Sequence, residues 1–295
     1  MIKEMKGEER MSKTITFPNG REVLKLGQGT WRMGEDENKR YDEIDALRTG
    51  IDNGLTLIDT AEMYAEGKAE EVVGDAIKNV DRDDLFLVSK VYPTNAGEER
   101  MFDSCEKTLQ RMGVDELDLY LLHWPGNVPL QETVDCFEEL KRQGKIRDWG
   151  VSNFDLEDMQ ELLSLRNGEN CQTNQVLYHL ASRGIEVVLH DYMKGNNIPI
   201  MAYCPIIGQE PDLKDKVYNS PIINNIVENK GISIVQLLLA FVMHQEQMTA
   251  IPKAGSSEHV LQNRKALDID LTNEELNLLN EAFPAPEKRV PLRVQ

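Results

Sequence analysis

The stretch LTLIDTAEMYAEG, residues 55–67, changes character within a few positions. Three of its first four residues are apolar and typical of a buried strand, but Asp59 then interrupts the run. Tyr64 follows five positions later, in a segment that we predict to be a loop. Core packing does not require a carboxylate at the end of a buried strand with a phenol just beyond it. The combination indicates a functional role, which depends on the residues at the ends of the other strands.

Short apolar runs of this kind alternate with longer stretches along the chain. Eight runs occur, at residues 25–30, 55–61, 85–91, 117–124, 148–154, 173–179, 198–205 and 249–255. Helical patterns lie between them at residues 41–54, 134–145, 156–165 and 233–245. Eight strand–helix units, with strands apolar enough to be buried on both faces, predict an α/β protein with a closed (β/α)8 TIM barrel.

An open, doubly wound parallel sheet is the alternative fold for this alternation. Such a sheet usually carries a glycine-rich dinucleotide loop, G-x-G-x-x-G, after its first strand. Gly27 and Gly29 begin a segment like that loop, but Arg32 stands where the third glycine is required. The sequence therefore favours the barrel.

The chain shows no sign of division into several domains. An Asn19-Gly20 turn between two short runs predicts a β-hairpin before the first barrel strand. No linker or low-complexity tract follows it, so we expect a single barrel domain over residues 13–295. Residues 1–12 are charged and are expected to form a disordered N-terminal extension.

Charge and cysteine content exclude several classes of protein. The chain has 33 lysine and arginine residues against 51 aspartate and glutamate residues, a formal net charge of −18. This balance argues against a nucleic-acid backbone or an anionic membrane as partner. No apolar run approaches the roughly 18 residues that cross a bilayer, and the N-terminus lacks the apolar segment of a signal peptide. The four cysteines are scattered without metal-like clustering, so we expect a cytoplasmic protein and no metal site.

Polar residues end several of the predicted strands. Asp59, Lys90 and His123 end the second, third and fourth strands, and these ends meet at one mouth of a barrel, near Tyr64. We expect the Lys90 ammonium to lower the pKa of the Tyr64 phenol, and Asp59 to keep that ammonium charged. His123 would orient a substrate oxygen. Such a phenol suits protonation of a carbonyl oxygen during reduction.

Seven motifs carry a resemblance to the aldo-keto reductase family. They are LIDTAEMYAEGKAEEVVGDAI, LVSKV, LYLLHWP, WGVSNF, NQVLYH, AYCPI and IPKAG, in this order, and the resemblance extends from about residue 14 to about residue 280. It implies a (β/α)8 barrel with an N-terminal β-hairpin that closes the bottom. It also implies a catalytic set of Asp59, Tyr64, Lys90 and His123, in which the tyrosine is the general acid and the hydride comes from a nicotinamide.

The same resemblance implies that the cofactor is NADPH or NADP+. Ser152, Asn153 and Gln175 fall where the family binds the carboxamide, and Tyr203 falls where an aromatic ring stacks on the nicotinamide. The predicted cofactor site also includes Thr30, Ser256, Gln262 and Asn263, the last two near the adenine.

Two residues bear on the choice between the two nicotinamide cofactors. Lys253 matches the family's lysine that pairs with the 2′-phosphate, which implies NADPH. His259 stands where many members carry an arginine, and a histidine does not supply a permanent fork of donors. We therefore expect NADPH to be preferred and NADH to be a weaker alternative.

The predicted substrate pocket is small. Family analogy places Trp31 and Trp124 at its wall, and Tyr92, just past Lys90, is expected to join them. The tail after Leu279 is short, whereas members that bind steroids usually have longer tails. We expect a monomer that reduces small aldehydes or ketones, including α-dicarbonyls or sugar-derived carbonyls.

Two other functions stay open at this point. A Schiff-base lyase of the aldolase type would use Lys90 as its nucleophile, although an amine held by Asp59 is poorly suited to that task. A non-catalytic nicotinamide-binding module is the other alternative, since some relatives serve as channel subunits or lens proteins. The intact set of four catalytic residues favours the reductase.

Overall fold

The fold of residues 12–208 and 210–294 is described by a computed structural model of the chain. The expected disordered extension, residues 1–12, lies outside these residues except for Ser12. A two-stranded antiparallel hairpin comes first, formed by β1 (Thr14–Thr16) and β2 (Glu22–Leu24). The predicted turn at Asn19-Gly20 lies between these strands, and Gly20 has φ +85°, a conformation that favours glycine.

Eight parallel strands then form the barrel. They are β3 (Gln28–Gly29), β4 (Leu57–Asp59), β5 (Phe86–Val91), β6 (Leu117–Leu122), β7 (Ile146–Ser152), β8 (Asn174–Leu177), β9 (Ile200–Tyr203) and β10 (Met248–Ala250). Each strand pairs with the next in chain order. Parallel bridges from Leu26 to Ala250 and from Gly29 to Lys253 join the last strand to the first. The predicted closed (β/α)8 barrel is thereby confirmed.

Helices surround the strands and alternate with them. They are α1 (Arg40–Asp52), α2 (Lys68–Ile77), α3 (Met101–Met112), α4 (Leu130–Arg142), α5 (Leu156–Ser164), α6 (Leu189–Gly195), α7 (Pro211–Tyr218), α8 (Pro221–Lys230), α9 (Ile234–His244), α10 (Ser257–Arg264) and α11 (Asn273–Ala282). The four helices predicted from periodicity are confirmed. However, α4 begins four residues earlier than expected, because its first turn is mostly polar and does not contribute to the apolar pattern.

The hairpin closes the bottom of the barrel, as predicted. Ile15, Phe17 and Val23 form one apolar cluster with side chains from inside the barrel. The Phe17 ring stacks on that of Phe86 at the start of β5, with ring centroids 5.0 Å apart. At the hairpin tip, Asn19 donates a 2.7 Å hydrogen bond to Asp148 on β7. The hairpin does not cover the opposite end of the barrel, where the carboxyl ends of the strands lie.

Alternation along β5 separates the two faces that matter for the site. Phe86 and Val88 belong to the cluster inside the barrel, and Lys90 follows them on the same face. Leu87 and Val91 belong to the outer cluster that packs against the helices, and Ser89 lies on that outer face. The Lys90 side chain therefore points into the barrel, and the Ser89 side chain points outward to the helix layer.

The apolar helix α9 belongs to this helix layer. Its Leu237, Leu238 and Leu239 side chains are fully buried in the outer core. Over the described stretches of the chain, no single helix has the length and apolar character to cross a membrane. Only α8 and α9 taken together meet that criterion, and they are bent by 94°.

Candidate active site

A buried ammonium group lies at the centre of the site. Lys90 is fully buried, and its Nζ donates a 2.8 Å hydrogen bond to Asp59 Oδ2 and another of 2.8 Å to the Thr60 carbonyl oxygen. A third bond, of 3.2 Å, reaches the Tyr64 hydroxyl. The other Asp59 oxygen accepts a 2.7 Å hydrogen bond from Gln175 Nε2. The carboxylate, ammonium and phenol predicted from the sequence are therefore in direct contact.

Tyr64 is held by an unusual backbone segment. The residue begins a short 3-10 turn, Tyr64–Gly67, that leads into α2. Ala65 and Glu66 have φ values of 49° and 55°, and Gly67 follows at 91°. Non-glycine residues seldom adopt such left-handed conformations, which persist where the surrounding structure imposes them. The sequence gives no sign of this, because neither Ala65 nor Glu66 belongs to the types that favour positive φ.

Burial has the largest effect on the pKa values of Tyr64 and Lys90. It raises the pKa of the Tyr64 phenol well above its usual value, and the Asp59 charge adds to the rise. Burial also lowers the pKa of the Lys90 ammonium, against the opposing effect of Asp59. The net lowering of the phenol's pKa that the sequence predicts is not found, because loss of hydration and the Asp59 charge raise it. The phenol is consequently protonated at neutral pH, as a proton donor must be.

His123 completes the polar group at the mouth. It follows β6, it is only 8% exposed, and its ring meets the Tyr64 ring edge-on with centroids 5.7 Å apart. Burial and the nearby Lys90 charge lower the pKa of its imidazole to about 2. Its buried Nδ1 has no hydrogen-bond partner among the described residues. The ring is therefore neutral, and not a cation, at physiological pH.

The His123 shift makes protein stability depend on pH. The folded protein keeps this ring neutral, whereas an unfolded chain protonates it below about pH 6.5, so the unfolded state binds more protons there. Stability is thus lost as the pH falls below that value. When the pH is lowered from 7.5 to 5.0, we expect the unfolding free energy of the wild type to fall by about 2 kcal/mol more than that of a His123→Asn variant. Urea unfolding of both proteins at the two pH values measures the difference, and equal losses would contradict the assignment.

These residues border a cavity of about 220 Å³ at the barrel mouth. The predicted site residues that line it are Thr30, Trp31, Asp59, Tyr64, His123, Trp124, Ser152, Asn153, Gln175, Tyr203 and Lys253. Lys90 lies behind this wall, in contact with Asp59 and Tyr64. Three larger clefts, of about 360, 640 and 920 Å³, lie elsewhere on the described part of the protein and contain none of these residues. The small cavity therefore gathers most of the predicted site.

Tyr92 does not line this cavity, contrary to its predicted place at the pocket wall. Its backbone amide donates a 2.6 Å hydrogen bond to Glu62, which directs the chain into the turn that follows β5. The Tyr92 ring packs edge-on against Trp124, with centroids 5.0 Å apart. Tyr92 therefore supports a wall residue and does not form the wall itself.

The predicted carboxamide-binding residues form one connected group. Asn153 Nδ2 donates hydrogen bonds to the His123 carbonyl oxygen, at 3.1 Å, and to Ser152 Oγ, at 3.2 Å. The Tyr203 hydroxyl donates a 2.9 Å hydrogen bond to Asn153 Oδ1. Together with Gln175 they place amide and hydroxyl groups along one side of the cavity beside a half-buried aromatic ring. This donor set fits a planar carboxamide-bearing ring.

Lys253 also fits an anionic group. It lines the cavity, it is exposed, and it has no ion-pair partner among residues 12–208 and 210–294. A Cβ added at Gly255 would lie 2.8 Å from Lys253 Nζ, so the ammonium lies over the loop that leads to α10. In a chain with net charge −18, a cation left without a carboxylate beside a cavity is available to a phosphate.

The other residues assigned to the cofactor lie beyond the cavity, at α10. Ser256 caps this helix, and its Oγ accepts a 3.4 Å hydrogen bond from the backbone amide of His259. The His259 side chain is exposed. The Gln262 side chain is bonded to Gln236 on α9, and Asn263 is buried. None of these four lines the cavity, and their assignment to a phosphate and an adenine stays a prediction.

Sequence reasoning missed several residues that line the cavity. Met63 precedes Tyr64, and a loop of five residues follows β9, namely Cys204, Pro205, Ile206, Ile207 and Gly208. Any loop that follows a barrel strand at its carboxyl end lies near the mouth, so position alone could have identified this one. It adds apolar surface to the cavity wall.

Comparison with known proteins agrees with this geometry. The model of the Aldo/keto reductase family matches residues 25–283. The chain belongs to the aldo/keto reductase family. Methylglyoxal reductase YeaE of Escherichia coli strain K12 is 49% identical over 280 residues, spanning 95% of this chain and 98% of that protein. Glyoxal reductase of Bacillus subtilis strain 168 is 33% identical over 270 residues, spanning 90% and 91% of the two chains.

Solved structures of other aldo/keto reductases are similar throughout. An enzyme from Klebsiella pneumoniae, in complex with NADP and acetate, is 52% identical with a TM-score of 0.93, and the match covers 97% of this chain and all of that one. A second Klebsiella pneumoniae structure, in complex with NADPH, is 51% identical with a TM-score of 0.92 and the same coverage. The predicted family and fold are thus confirmed.

Proposed function

We propose that this aldo/keto reductase uses NADPH to reduce small carbonyl compounds, with short α-dicarbonyls as its substrate class. The observation that carries the proposal is the 3.2 Å contact between the Tyr64 hydroxyl and the buried Lys90 ammonium at the cavity wall. A proton donor backed by a cation suits an oxygen that gains negative charge during reaction. Identities of 49% to a methylglyoxal reductase and 33% to a glyoxal reductase support the dicarbonyl class.

The residues of the site divide the proton chemistry between them. When bound, NADPH supplies the hydride that reduces the carbonyl carbon. His123 orients the carbonyl oxygen towards Tyr64, which transfers its hydroxyl proton to that oxygen. Although burial raises the pKa of the phenol, the alkoxide formed by reduction is a stronger base than a phenolate. Lys90, held by Asp59, then stabilises the phenolate at 3.2 Å until water returns the proton.

The cofactor would be held by the polar side of the cavity and the loop after β10. Ser152, Asn153 and Gln175 would bind the carboxamide, and Tyr203 would stack on the ring. Lys253 would pair with the 2′-phosphate. Two relatives at 51–52% identity that are described with NADPH or NADP support this choice of cofactor.

A panel of substrates tests the proposed function. Purified protein is mixed with NADPH and, in turn, methylglyoxal, glyoxal, simple aldehydes, ketones and a steroid ketone, and cofactor oxidation is followed by absorbance. We expect the highest kcat/KM for the dicarbonyls, because a cavity of about 220 Å³ walled by two tryptophans leaves little room for larger substrates. No oxidation with any carbonyl compound would reject the reductase.

The Lys253→Ala variant tests the assignment of the phosphate-binding residue. Loss of a charge-assisted contact to the 2′-phosphate should raise the KM for NADPH by about tenfold or more. The KM for NADH, which lacks this phosphate, should change by less than about twofold. Lys107→Ala, which removes another exposed lysine on α3, is the matched control and should alter neither value. Equal rises for both cofactors would show that the assignment is wrong.

The Schiff-base lyase finds less support in the geometry. The Lys90 amine donates to three acceptors within 3.2 Å, is fully buried and is not part of the cavity lining, so its nitrogen is poorly placed to attack a carbonyl carbon. Borohydride trapping with methylglyoxal should therefore give no covalent adduct at Lys90. An adduct there would favour the lyase over the reductase.

The remaining proposals concern the state of the protein in the cell. We propose a cytoplasmic monomer with catalytic activity and not a binding module without activity. None of the four cysteines is in a disulfide, and three of them are buried, which suits a reducing compartment. Size-exclusion chromatography with light scattering tests the monomer, and the substrate panel distinguishes the enzyme from the non-catalytic module.

A further inference from the structure

A buried ion pair lies on the outer side of the barrel wall, directly behind the site. Glu70 on α2 is fully buried, and its Oε2 accepts a 2.5 Å hydrogen bond from Arg111 Nε on α3. Its Oε1 accepts a 2.6 Å hydrogen bond from Ser89 on β5. Ser89 precedes Lys90, so the Glu70 carboxylate is tied to the strand that carries the ammonium of the site.

The same pair contacts the segment that carries the phenol. A Cβ added at Gly67 would lie 2.7 Å from both Cδ and Nε of Arg111, so the guanidinium end packs against the glycine backbone. Gly67 closes the left-handed segment of residues 65–67 that follows Tyr64. Because Ala65 and Glu66 do not favour positive φ, an external contact is needed to hold this segment, and Arg111 supplies one at its end.

We propose that Glu70 and Arg111 form a positioning unit for proton transfer, in which Arg111 fixes the segment that carries Tyr64 and Glu70 fixes the strand that carries Lys90. The inference rests on the proposed reductase function and assigns to that reaction two residues outside the cavity. Neither residue touches the substrate. Their effect is on the relative placement of two groups that are 3.2 Å apart, and a displacement of about 1 Å between reacting groups lowers rates by about 10²-fold.

Charge supplies a second connection between the pair and the site. The Glu70 carboxylate raises the pKa of Lys90 and so opposes the effect of burial. Removing that charge should let Lys90 lose its proton at a lower pH. Activity that needs the ammonium should then decline earlier as the pH rises, an effect that a merely structural residue would not produce.

Three variants test the proposal in the intact protein: Glu70→Gln, Arg111→Met and Ser89→Ala. NADPH titration by fluorescence gives the Kd and the fraction of competent sites, and kcat for methylglyoxal is divided by that fraction. We expect kcat to fall about tenfold in the first two variants and about threefold in Ser89→Ala, with KM and Kd within about twofold. In Glu70→Gln the basic limb of the kcat profile should move to lower pH.

An exposed ion pair on α4 provides the matched control. Arg142 and Glu139 are joined by hydrogen bonds of 2.6 and 2.7 Å far from the barrel mouth, so Glu139→Gln and Arg142→Met make the same exchanges without contact to the site. These variants should keep the wild-type kcat. If Arg111→Met does not fold, Ser89→Ala, which keeps the ion pair, and Glu70→Gln still decide the question.

Two outcomes would overturn the inference and are distinguishable from each other. Variants whose kcat per competent site stays within about twofold of wild type, with an unmoved pH profile, would show that the pair only stabilises the fold. If none of the carbonyl compounds tested supports NADPH oxidation by the wild-type protein, the proposed function itself is rejected, and the positioning role with it.

Discussion

Replacing Tyr64 by phenylalanine is expected to lower kcat for methylglyoxal reduction by about 10³-fold, within the range that general acids contribute. The substitution removes one oxygen atom, and with it the proton that the alkoxide needs. The ring remains, so its edge-on contact with His123 at 5.7 Å should be kept. The Kd for NADPH, measured by fluorescence titration, should change by less than about twofold.

A second tyrosine provides the control for this variant. Tyr120 is also fully buried and lies on β6, but its ring faces the helix layer beside Phe137. Tyr120→Phe should leave kcat unchanged. A Tyr64→Phe enzyme that retained a tenth or more of the wild-type kcat would mean that another group, or water, delivers the proton.

Replacing Lys90 by methionine is expected to damage both activity and stability. The Asp59 carboxylate is only 2% exposed and would lose its cation, and an uncompensated buried charge costs about 3–5 kcal/mol. The rate should fall by at least about 10²-fold, since no cation remains to stabilise the phenolate. Urea unfolding and steady-state kinetics measure the two effects separately.

The Asp59→Asn/Lys90→Met double variant separates charge burial from catalysis. Neutralising the carboxylate removes the unpaired charge, so the unfolding free energy should recover by about 2 kcal/mol or more relative to Lys90→Met alone. The catalytic rate should not recover, because the ammonium is still absent. Recovery of both would indicate that Lys90 only keeps the site folded.

The sequence predicted the barrel and the four central site residues for a physical reason. Polar residues that end apolar strands are visible in the sequence, and parallel strands bring their carboxyl ends to one mouth. Asp59, Lys90 and His123 are such residues, and Tyr64 lies one short segment beyond. Topology therefore brings Asp59, Lys90 and His123 together, whereas the approach of Tyr64 also depends on the left-handed segment that follows it.

What the sequence could not predict depends on packing at a distance. Glu70 and Arg111 are 41 residues apart, and no motif in the sequence indicates that their side chains meet. The pKa direction of Tyr64 depends on burial by the closed barrel, which no motif reveals. Tyr92 lies just past a strand end, but a hydrogen bond to Glu62 turns the chain there. In each case the deciding neighbour comes from another element.

A double-variant cycle on Tyr64 and Lys90 tests most directly the claim that the phenol and the ammonium act as one unit. The kcat for methylglyoxal is measured for the wild type, Tyr64→Phe, Lys90→Met and the double variant, each saturated with NADPH. If Lys90 acts through the Tyr64 hydroxyl, the double variant should be no slower than Tyr64→Phe, within about twofold. A double variant whose loss equals the product of the two single losses would show that the groups act independently and would contradict this mechanism.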